Sequence, residues 1–582
     1  MSPEDIRSHL ADMLASAVFA KAGRISRFLR YVVEASLEGR TKQISEYAIA
    51  VDVYDRPQSF DSRLDGIVRV EAGRLRSKLR EYYETDGKNS SVRIEFPKGS
   101  YSPLFKEIGA SSPMDQRRPT RGPRTVAVLP FADLSPQRDQ EFLGDGIAEE
   151  LMFALSRVAA IRVASQTSAF SFKGKHQDIR RIGEALNVDT IVEGSVRKDD
   201  LRLRITAQLI DASTGFHIWS NVYDRELKDV FAIQEDIAGC IVAALTDTLF
   251  KRTPGELAAS STANLSAHTA YLKGRFFWNR QTEASLQLAI KEFERAIHDD
   301  PRYARAHVGL ADCYRLLEFW GAMAPEVAIP KARQAVADAL NVDRALPEAQ
   351  AAQAVLDAVY NWSWASAEKQ FRRVFDSLPD YAVAHQAYAV MCLVPQSRFD
   401  EAINELNIAK QLDPLAPWLN AQLGFVYYLS RRYEDAVAQL HSTIELDDCF
   451  FLAHTFLAAV CSQTGKLAEA LSALLKAEKE APQSTRILGW LAYVNGRLGR
   501  KKKASDMVEK LKQLSRSGYV CPLDLARAYM GIANNDQTLM HLEKAAERRC
   551  GRLISAVVDP AYDSVRPDSR FAALRLRMGL SP

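Results

Sequence analysis

The side chains best placed to do chemistry lie in one basic stretch near the N-terminus. The segment VRVEAGRLRSKLREYY (68–83) contains five basic residues: Arg69, Arg74, Arg76, Lys78 and Arg80. Guanidinium and ammonium groups bind phosphate oxygens, and arginine also binds guanine edges in the major groove of DNA. The alternative is a solvated helix face on which Glu71 and Glu81 offset the basic charges.

A helical period decides which side chains of this stretch face outward. Its apolar residues fall on one arc when each residue advances by about 100°: Val68, Ala72, Leu75, Leu79, Tyr82 and Tyr83. This arc must pack on a core. Arg69, Arg76 and Arg80 then face away from the core and are the candidates to contact bases.

Two small residues, Gly73 and Ser77, lie on the same outward side. Glycine in an exposed helix interior costs about 0.5 to 1 kcal/mol relative to alanine. Gly73 therefore predicts that a partner approaches the helix closely. Arg74 and Lys78 lie on the opposite flank, where we expect them to contact phosphates rather than bases.

Other predicted elements surround this helix. The segment ISRFLRYVVEASLEGR (25–40) has an apolar stripe, and SEYAIAVDVYD (45–55) begins after Ser45, a suitable N-cap. The alternating segments VRIEF (92–96) and YSPLF (101–105) flank the turn PKGS. Three helices followed by a short hairpin are the layout of a winged helix-turn-helix, an α+β fold.

The segments AGRLRSKL (72–79) and PKGSY (97–101) resemble the OmpR/PhoB and ToxR type of winged-helix transcription factors. The resemblance covers about 80 residues, 25–105. It departs from the family in having no predicted sheet before the first helix and a long loop at 56–65. With the helical period, it implies a set of residues that face double-stranded DNA: Arg69, Gly73, Arg74, Arg76, Ser77, Lys78, Arg80, and Lys98 and Tyr101 on the wing. Contact with RNA polymerase is a further expectation from the family.

The block 125–252 alternates between strand and helix patterns. Strands are predicted at 125–131, 161–172, 190–198 and 201–211, and helices at 141–158, 178–188 and 230–249. This order indicates an α/β domain with a central hairpin. The segments AVLPF, GDGIAEEL, VEGSV and LIDASTGFHIWS resemble the TolB N-terminal-like family over about 125 residues.

A 34-residue repeat dominates the chain from Ser266 onward. Alanine recurs at 402, 436, 470 and 504, and Pro414, Asp448 and Pro482 follow the first three by twelve residues. This period resembles the tetratricopeptide (TPR) repeat, and we expect seven or eight units, with an insert at 320–330. The resemblance implies an α-helical superhelix whose groove binds a protein or peptide.

No catalytic constellation emerges from the remaining candidates. Gly144-Asp145-Gly146 lies near a predicted helix start, where it serves either as an anion site or as a simple turn. Ser168 has no positioned base, and Asp199 and Asp200 suit a hairpin turn. Chains resembling class III nucleotide cyclases also contain TolB-like and TPR parts, but this sequence has no segment like a cyclase catalytic core. We therefore expect a non-enzyme without a cofactor.

Composition narrows the class of protein further. The 582 residues exceed one hydrophobic core, and the net charge of +3 is close to neutral. Seven scattered cysteines without a CxxC pair argue against zinc and disulfides. No apolar run approaches the roughly 18 residues of a membrane span, so we expect a soluble cytoplasmic protein.

The sequence thus predicts a multidomain chain with a winged helix at 1–108, a linker at 109–124, an α/β domain at 125–252 and a TPR superhelix at 266–582. These parts together predict a bacterial transcriptional regulator whose C-terminal parts bind a partner and alter the pairing of DNA-binding domains in a homo-oligomer. The alternative is a TPR scaffold that mediates protein–protein interactions without sequence-specific DNA binding.

Overall fold

The computed structural model describes most of the chain in two compact units, Met1–Thr120 and Arg121–Pro582. The described residues are 3–20, 22–38, 40, 44–57, 67–87, 90, 92–96, 101, 103–107, 124–156, 158, 161–175, 177–199, 202–226, 230–246 and 262–581. Among them, no helix combines the length and the apolar composition needed to cross a bilayer.

The N-terminal unit contains helices and one antiparallel strand pair. The elements are α1 (Pro3–Ala15), α2 (Ala17–Ala20), α3 (Gly23–Leu37), α4 (Glu46–Asp52), α5 (Ile67–Glu84), β1 (Val92–Glu95) and β2 (Leu104–Glu107). The three predicted helices and the hairpin are present, and Ser45 caps α4 by accepting a hydrogen bond from the amide of Ala48 at 3.1 Å. Sequence periodicity missed α1 and α2, and it began the second strand three residues too early.

The core of this unit is built on the predicted apolar arc of α5. Val68, Ala72, Leu75, Leu79 and Tyr82 are each at most 4% exposed. They pack with the buried side of α3, and Phe96, just after β1, meets Phe28 edge-to-face at 5.6 Å. The helical period therefore predicted the buried side of α5 correctly.

The second unit begins with a mixed sheet and its helices. The strands are β3 (Arg124–Val128), β4 (Ala132–Asp133), β5 (Ile161–Val163), β6 (Thr190–Asp199), β7 (Arg202–Asp211) and β8 (His217–Glu226). The helices are α6 (Glu141–Ser156), α7 (Gln166–Phe170), α8 (Ile179–Leu186) and α9 (Val230–Thr246). The main strand order is β5-β3-β6-β7-β8, in which β3 runs parallel to β5 and β6, while β7 is antiparallel to both of its neighbours.

One strand prediction in this α/β part is wrong. The segment 161–172 was expected to be a single strand, but only Ile161–Val163 is extended, and α7 follows. The change of conformation is tied to a distant contact, because the amide and hydroxyl of Ser168 both bind Asp413. A local alternation of apolar residues carries no information about such a contact.

Helix pairs fill the rest of the described chain. The first four pairs are α10 (Leu265–Asn279) with α11 (Glu283–Asp299), α12 (Ala304–Trp320) with α13 (Pro325–Val342), α14 (Pro347–Val359) with α15 (Trp364–Ser377), and α16 (Ala382–Ala387) with α17 (Phe399–Leu412). A π-helical turn (Tyr388–Leu393) and a 3-10 turn (Val394–Gln396) extend α16. The next four are α18 (Pro417–Leu429) with α19 (Tyr433–Leu446), α20 (Phe451–Gln463) with α21 (Leu467–Glu480), α22 (Thr485–Arg497) with α23 (Lys501–Ser517), and α24 (Pro522–Gly531) with α25 (Asn535–Glu547).

These eight pairs of the described region form a TPR-type superhelix, in agreement with the predicted seven or eight units. The expected insert at 320–330 is not a separate loop, because α12 and α13 are longer, at 17 and 18 residues. The small residue of each repeat marks a close helix crossing. A Cβ added to Gly424 of α18 would lie 2.6 Å from Leu440 of α19.

A short C-terminal run follows the last pair. It comprises α26 (Leu553–Ala556), a 3-10 helix (Pro560–Val565) and α27 (Ser569–Arg577). We call residues 551–580 the C-terminal segment.

Candidate functional site

The outward side of α5 carries an open surface around Gly73. Gly73 is exposed, and a Cβ added there would meet no atom of the described residues within 4 Å. Packing against the described residues of the N-terminal unit therefore does not require a glycine at this position. The sequence-based expectation of a close approach by a partner stays a prediction.

The two predicted phosphate-binding side chains are held by acidic neighbours one turn away. Arg74 is 65% exposed and its Nη1 lies 2.6 Å from Oε1 of Glu71, while Nζ of Lys78 lies 2.8 Å from Oε2 of Glu81. An exposed ion pair such as that of Lys78 with Glu81 contributes about 0 to 1 kcal/mol, so Lys78 can exchange its carboxylate for a phosphate at little cost. Glu71 is only 9% exposed, so Arg74 can reach a phosphate at little cost only while it keeps its contact with Glu71.

Arg76 has a structural contact that the helical wheel did not predict. Its Nε donates to the carbonyl oxygen of Phe96 at 2.9 Å, and its guanidinium lies 5.3 Å from the centre of the Phe96 ring. The side chain thus links α5 to the end of β1. A wheel places the Cβ of a long side chain but not the direction that its tip takes, so the outward position assigned to Arg76 needs this correction.

The structure describes fewer side chains among the other predicted DNA-contact residues. Arg69, Ser77 and Arg80 belong to α5, but their side chains lie outside the described part, as does the whole of Lys98. Tyr101 is half-buried and packs on the core of the unit. The DNA-contact roles of all these residues stay predictions.

The Gly144-Asp145-Gly146 motif packs inside α6 rather than forming a loop at the start of a helix. A Cβ on Gly144 would lie 2.3 Å from the carbonyl oxygen of Phe131, and one on Gly146 would lie 2.6 Å from the side chain of Leu272. Asp145 pairs with Lys173 at 2.6 Å, although burial still raises the pKa of this carboxyl. Both glycines therefore permit close packing, which explains the motif without an anion.

Buried polar contacts join the α/β part to the helical repeats. Arg275 and Arg305 pair with Glu149 and Glu150 of α6 at 2.6 and 2.7 Å. The hydroxyl of Ser168 donates to Asp413 at 2.5 Å and accepts from the amide of Leu415. Ser168, one of the residues inspected as a nucleophile, therefore has a structural role at this junction.

The C-terminal segment returns to helices far away along the chain. The amide of Gly551 donates to Glu318 of α12, the indole of Trp364 donates to the carbonyl of Met578, and the hydroxyl of Tyr428 donates to Asp559. A segment that touches the second, third and fifth helix pairs must run along the inner surface of the superhelix. It therefore covers part of the groove that the sequence assigned to a partner.

A cavity of about 80 Å³ remains between this segment and the repeats. Its aromatic walls come from first helices of several pairs: Phe319, Trp418, Phe425, Phe456 and Trp490. Its charged walls are Arg486, Asp524, Arg527, Arg552 and Asp559. The cavity thus combines aromatic rings with buried charged groups.

A second, larger depression lies on the outside of the fifth and sixth pairs. This outer groove has a volume of about 730 Å³ and lies between α19, α20 and α21. Val437, Ile444 and Leu457 supply apolar lining, and the charged lining is balanced between Lys466 and Lys476 and the two glutamates Glu434 and Glu469. The C-terminal segment contributes no residue to its lining.

Three potential metal ligands cluster in the loop after α19. Asp447, Asp448 and Cys449 bring their ligand atoms within 4.8 Å of one another, and two of these side chains are exposed. They are consecutive loop residues, and the amide and thiol of Cys449 already donate to the two carboxylates. Loop geometry accounts for the cluster.

Comparison with known proteins gives partial matches. No family model matches the chain. A protein of Rhizobium meliloti (strain 1021) named Putative adenylate cyclase 3 is 35% identical over 187 residues, which are 32% of this chain and 32% of that protein. The transcriptional regulator HilA of Salmonella typhimurium is 20% identical over 318 residues, or 54% of this chain and 55% of HilA. The chain therefore spans about a third and about half of these relatives.

Among solved structures, the chain is similar to Pseudomonas aeruginosa PilF. The match has 19% sequence identity and a TM-score of 0.30, and it covers 39% of this chain and 96% of PilF. At this TM-score the likeness supports no statement about function.

Proposed function

We propose that the helical-repeat part is a protein-interaction scaffold. The outer groove between α19, α20 and α21 carries this proposal, because it is a depression of about 730 Å³ on the repeats to which the C-terminal segment contributes no residue. Its apolar lining suits a side chain of a partner, and Glu434, Glu469, Lys466 and Lys476 suit polar groups around that side chain. The inner surface is a weaker candidate, since the C-terminal segment covers part of it.

A pull-down with the full chain tests the scaffold. We expect one dominant protein to be recovered, and recovery to fall at least fivefold for Val437→Gln, which puts a polar group in the groove. Val327→Gln is the matched control, because Val327 is 50% exposed and lies on α13, far along the repeats from the groove. Recovery of nothing specific, or equal loss from both variants, would contradict the proposal.

As a second function, we propose that the N-terminal unit binds double-stranded DNA as a winged helix of the OmpR/PhoB type. The open surface at Gly73 and the link from Arg76 to the hairpin favour it, because a helix braced by a hairpin can enter the major groove as a rigid body. The partial match to HilA, a transcriptional regulator, adds support. Together the two functions make the chain a cytoplasmic bacterial regulator that carries a scaffold.

Selection from a pool of genomic DNA with the full chain tests this second function. We expect enrichment of specific fragments, a steep loss of affinity with salt, and weaker binding by Arg80→Ala. Lys502→Ala is the control, because Lys502 is a basic, exposed residue that belongs to α23. If the wild-type chain prefers no fragment, including the region upstream of its own gene, the DNA-binding proposal is contradicted and only the scaffold proposal remains.

For the α/β part we propose membership of the TolB N-terminal-like family and a bracing role. The ion pairs of α6 with Arg275 and Arg305 support this role. Glu150→Gln tests it, because loss of the charged partner of buried Arg305 should loosen the junction. Faster hydrogen exchange in both α6 and α12 is expected, and unchanged exchange would count against bracing.

A further inference from the structure

The cavity beside the C-terminal segment contains a guanidinium without a carboxylate partner. Arg486 donates from Nη2 to the carbonyl oxygen of Phe319 at 2.9 Å and lies 5.1 Å from the centre of the Phe319 ring. Within the described part of the chain, no carboxylate lies within 4 Å of it. Burial, and then the nearby Arg552, lowers the pKa of Arg486 to about 9.

The other charges of the cavity are already paired. Arg527 lies 2.6 Å from Asp559, and Arg552 binds both oxygens of Asp524 at 2.8 and 3.1 Å. The lining therefore has three guanidinium groups and two carboxylates. Removing a charge from water costs several kcal/mol unless an opposite charge compensates it. The third guanidinium, that of Arg486, is partly buried and has no carboxylate within ion-pair distance among the described residues.

A second observation points into the same site. Nη1 of Arg527 is buried and finds no hydrogen-bond partner among the described residues, although the other end of the group binds Asp559. The guanidinium stacks on Trp490 at 4.0 Å and on Tyr562 at 4.4 Å, so its orientation is held firmly. Arg486 on α22, which has no carboxylate partner, and Arg527 on α24, whose Nη1 has no acceptor among the described residues, thus line one cavity.

Glu318 is the nearest further acid to consider. It accepts hydrogen bonds from the hydroxyl of Tyr360 at 2.7 Å and from the amide of Gly551 at 2.9 Å. It is absent from the residues that line the cavity, and burial raises the pKa of its carboxyl. Glu318 therefore does not supply the missing acceptor inside the site.

We propose that this cavity is a binding site for a small oxyanion, a phosphate or carboxylate group, held by Arg486 and by Nη1 of Arg527. About 80 Å³ is ample for a few water-sized groups, since one water needs roughly 10 to 15 Å³, but it is far below the roughly 300 Å³ of a pocket for a drug-sized ligand. The ligand is thus small, and the aromatic walls exclude bulk water from its charge.

The position of the site gives the ligand a structural effect. Arg552, Ser555 and Asp559 line the cavity from the C-terminal segment, while Arg486 and Trp490 line it from the repeats. A bound anion therefore contacts both walls. It holds the segment in the inner groove, so anion binding and exposure of that groove are linked. This effector site goes beyond the proposed scaffold and DNA-binding functions and does not depend on them.

Calorimetric titration and thermal unfolding of the full chain test the site, with inorganic phosphate and acetate as separate probes against chloride at equal ionic strength. We expect saturable binding and a higher melting temperature with at least one probe. Phosphate alone would indicate a phosphorylated ligand, and acetate alone would indicate a carboxylate. No saturable binding by either probe would overturn the proposal.

Variants separate specific binding from general salt effects. Arg486→Met should raise the dissociation constant at least tenfold, which corresponds to the loss of one charge-assisted hydrogen bond. It should change the ligand-free melting temperature little, because it removes a partly buried charge that has no carboxylate partner together with one hydrogen bond to a backbone carbonyl. Arg344→Met, in an exposed turn, is the control and should bind like wild type. Equal binding by wild type and Arg486→Met would overturn the assignment.

A proteolysis experiment keeps the proposal testable if Arg486→Met fails to fold. In the wild-type chain, the better probe should slow cleavage within 551–580 at least threefold relative to chloride. Arg486→Lys, which keeps the charge but loses the planar fork, should show an intermediate effect. Cleavage that is equally fast with and without the probe would contradict the link between the anion and the segment.

Discussion

Arginines occupy opposite environments in the two units. On α5, Arg74 is 65% exposed and forms an ion pair within its own helix. In the repeat cavity, the side chains of Arg527 and Arg552 are 11% exposed and pair with aspartates that are 3% exposed. Exposed pairs contribute about 0 to 1 kcal/mol, whereas breaking a buried pair by removing one partner costs about 3 to 5 kcal/mol.

The difference shows what each surface can do. A cation whose pair is weak can turn to a large external anion at little cost, which suits the phosphate backbone of DNA. A buried cation cannot leave its site, so the anion must come to it and be small enough to enter. Charge alone therefore does not identify a nucleic-acid surface, and burial separates the two cases.

The largest expected effect comes from breaking a buried pair. Asp559 binds Arg527, the hydroxyl of Tyr428 and the amide of Ala561 at 2.6 to 2.9 Å. Asp559→Ala leaves a buried guanidinium without its counter-ion, so we expect the repeat part to lose about 3 to 5 kcal/mol of stability. All seven tryptophans lie in the second unit, so tryptophan fluorescence in a urea titration measures this loss.

Asp563 supplies the matched control for this prediction. It lies four residues away and pairs with Arg431, but the two side chains are 39% and 53% exposed. Asp563→Ala should therefore cost less than about 1 kcal/mol. Equal losses in the two variants would remove the distinction between buried and exposed pairs.

The next largest expected effect is a loss of stability at low pH, which a buried histidine causes. His268 is 3% exposed, and burial, assisted by Arg305, lowers its pKa from 6.5 to about 3. The unfolded chain binds the proton first as the pH falls below 6.5, so stability is lost between pH 6.5 and 3. Over two pH units this amounts to about 2 to 3 kcal/mol.

The urea midpoint from tryptophan fluorescence, measured at pH 6.5 and 4.5, checks this sign and size. His268→Leu removes the titrating group, so its midpoint should fall less over the same interval than that of the wild type. A variant with the same pH slope would show that another group causes the loss.

The sequence predicted local features well where periodicity governs them. Alanines at 34-residue intervals predicted the helix pairs, because each repeat uses the same packing between neighbours. The apolar arc of α5 was correct because burial follows helical geometry. The predicted role of the Gly144 motif left two possibilities open, and only the distance to the Phe131 carbonyl decided between them.

Contacts between distant residues were beyond sequence inspection. The return of the C-terminal segment depends on pairs such as Tyr428 with Asp559, which are 131 residues apart. The cavity exists only because the C-terminal segment packs on the repeats. No local sequence pattern predicts the cavity or the absence of a carboxylate partner for Arg486. The hydrogen bond of Arg76 to the carbonyl of Phe96, which is 20 residues away, could not be predicted for the same reason, while its role in DNA contact stays a prediction.

Arg76 and Arg74 provide a smaller test within α5. Arg76→Met removes a hydrogen bond to the hairpin, so we expect a local loss of about 1 kcal/mol, seen as roughly fivefold faster hydrogen exchange at β1. Arg74→Met should leave exchange at β1 unchanged, because its ion pair with Glu71 lies within α5 and does not reach the hairpin. If DNA binds as proposed, both variants should weaken affinity. Equal exchange in the two variants would remove the bracing role of Arg76.

Gly73 gives the smallest change in stability and the clearest separation of folding from binding. Because an added Cβ meets no atom of the described residues within 4 Å, Gly73→Ala should stabilise α5 by about 0.5 to 1 kcal/mol, seen as slower hydrogen exchange in the helix. Gly73→Leu should form the helix equally well, because leucine has a high helix propensity. If DNA approaches this side, leucine should lower affinity by tenfold or more, while alanine should lower it less. A folded leucine variant with unchanged affinity would place the DNA elsewhere and leave the glycine without a binding role.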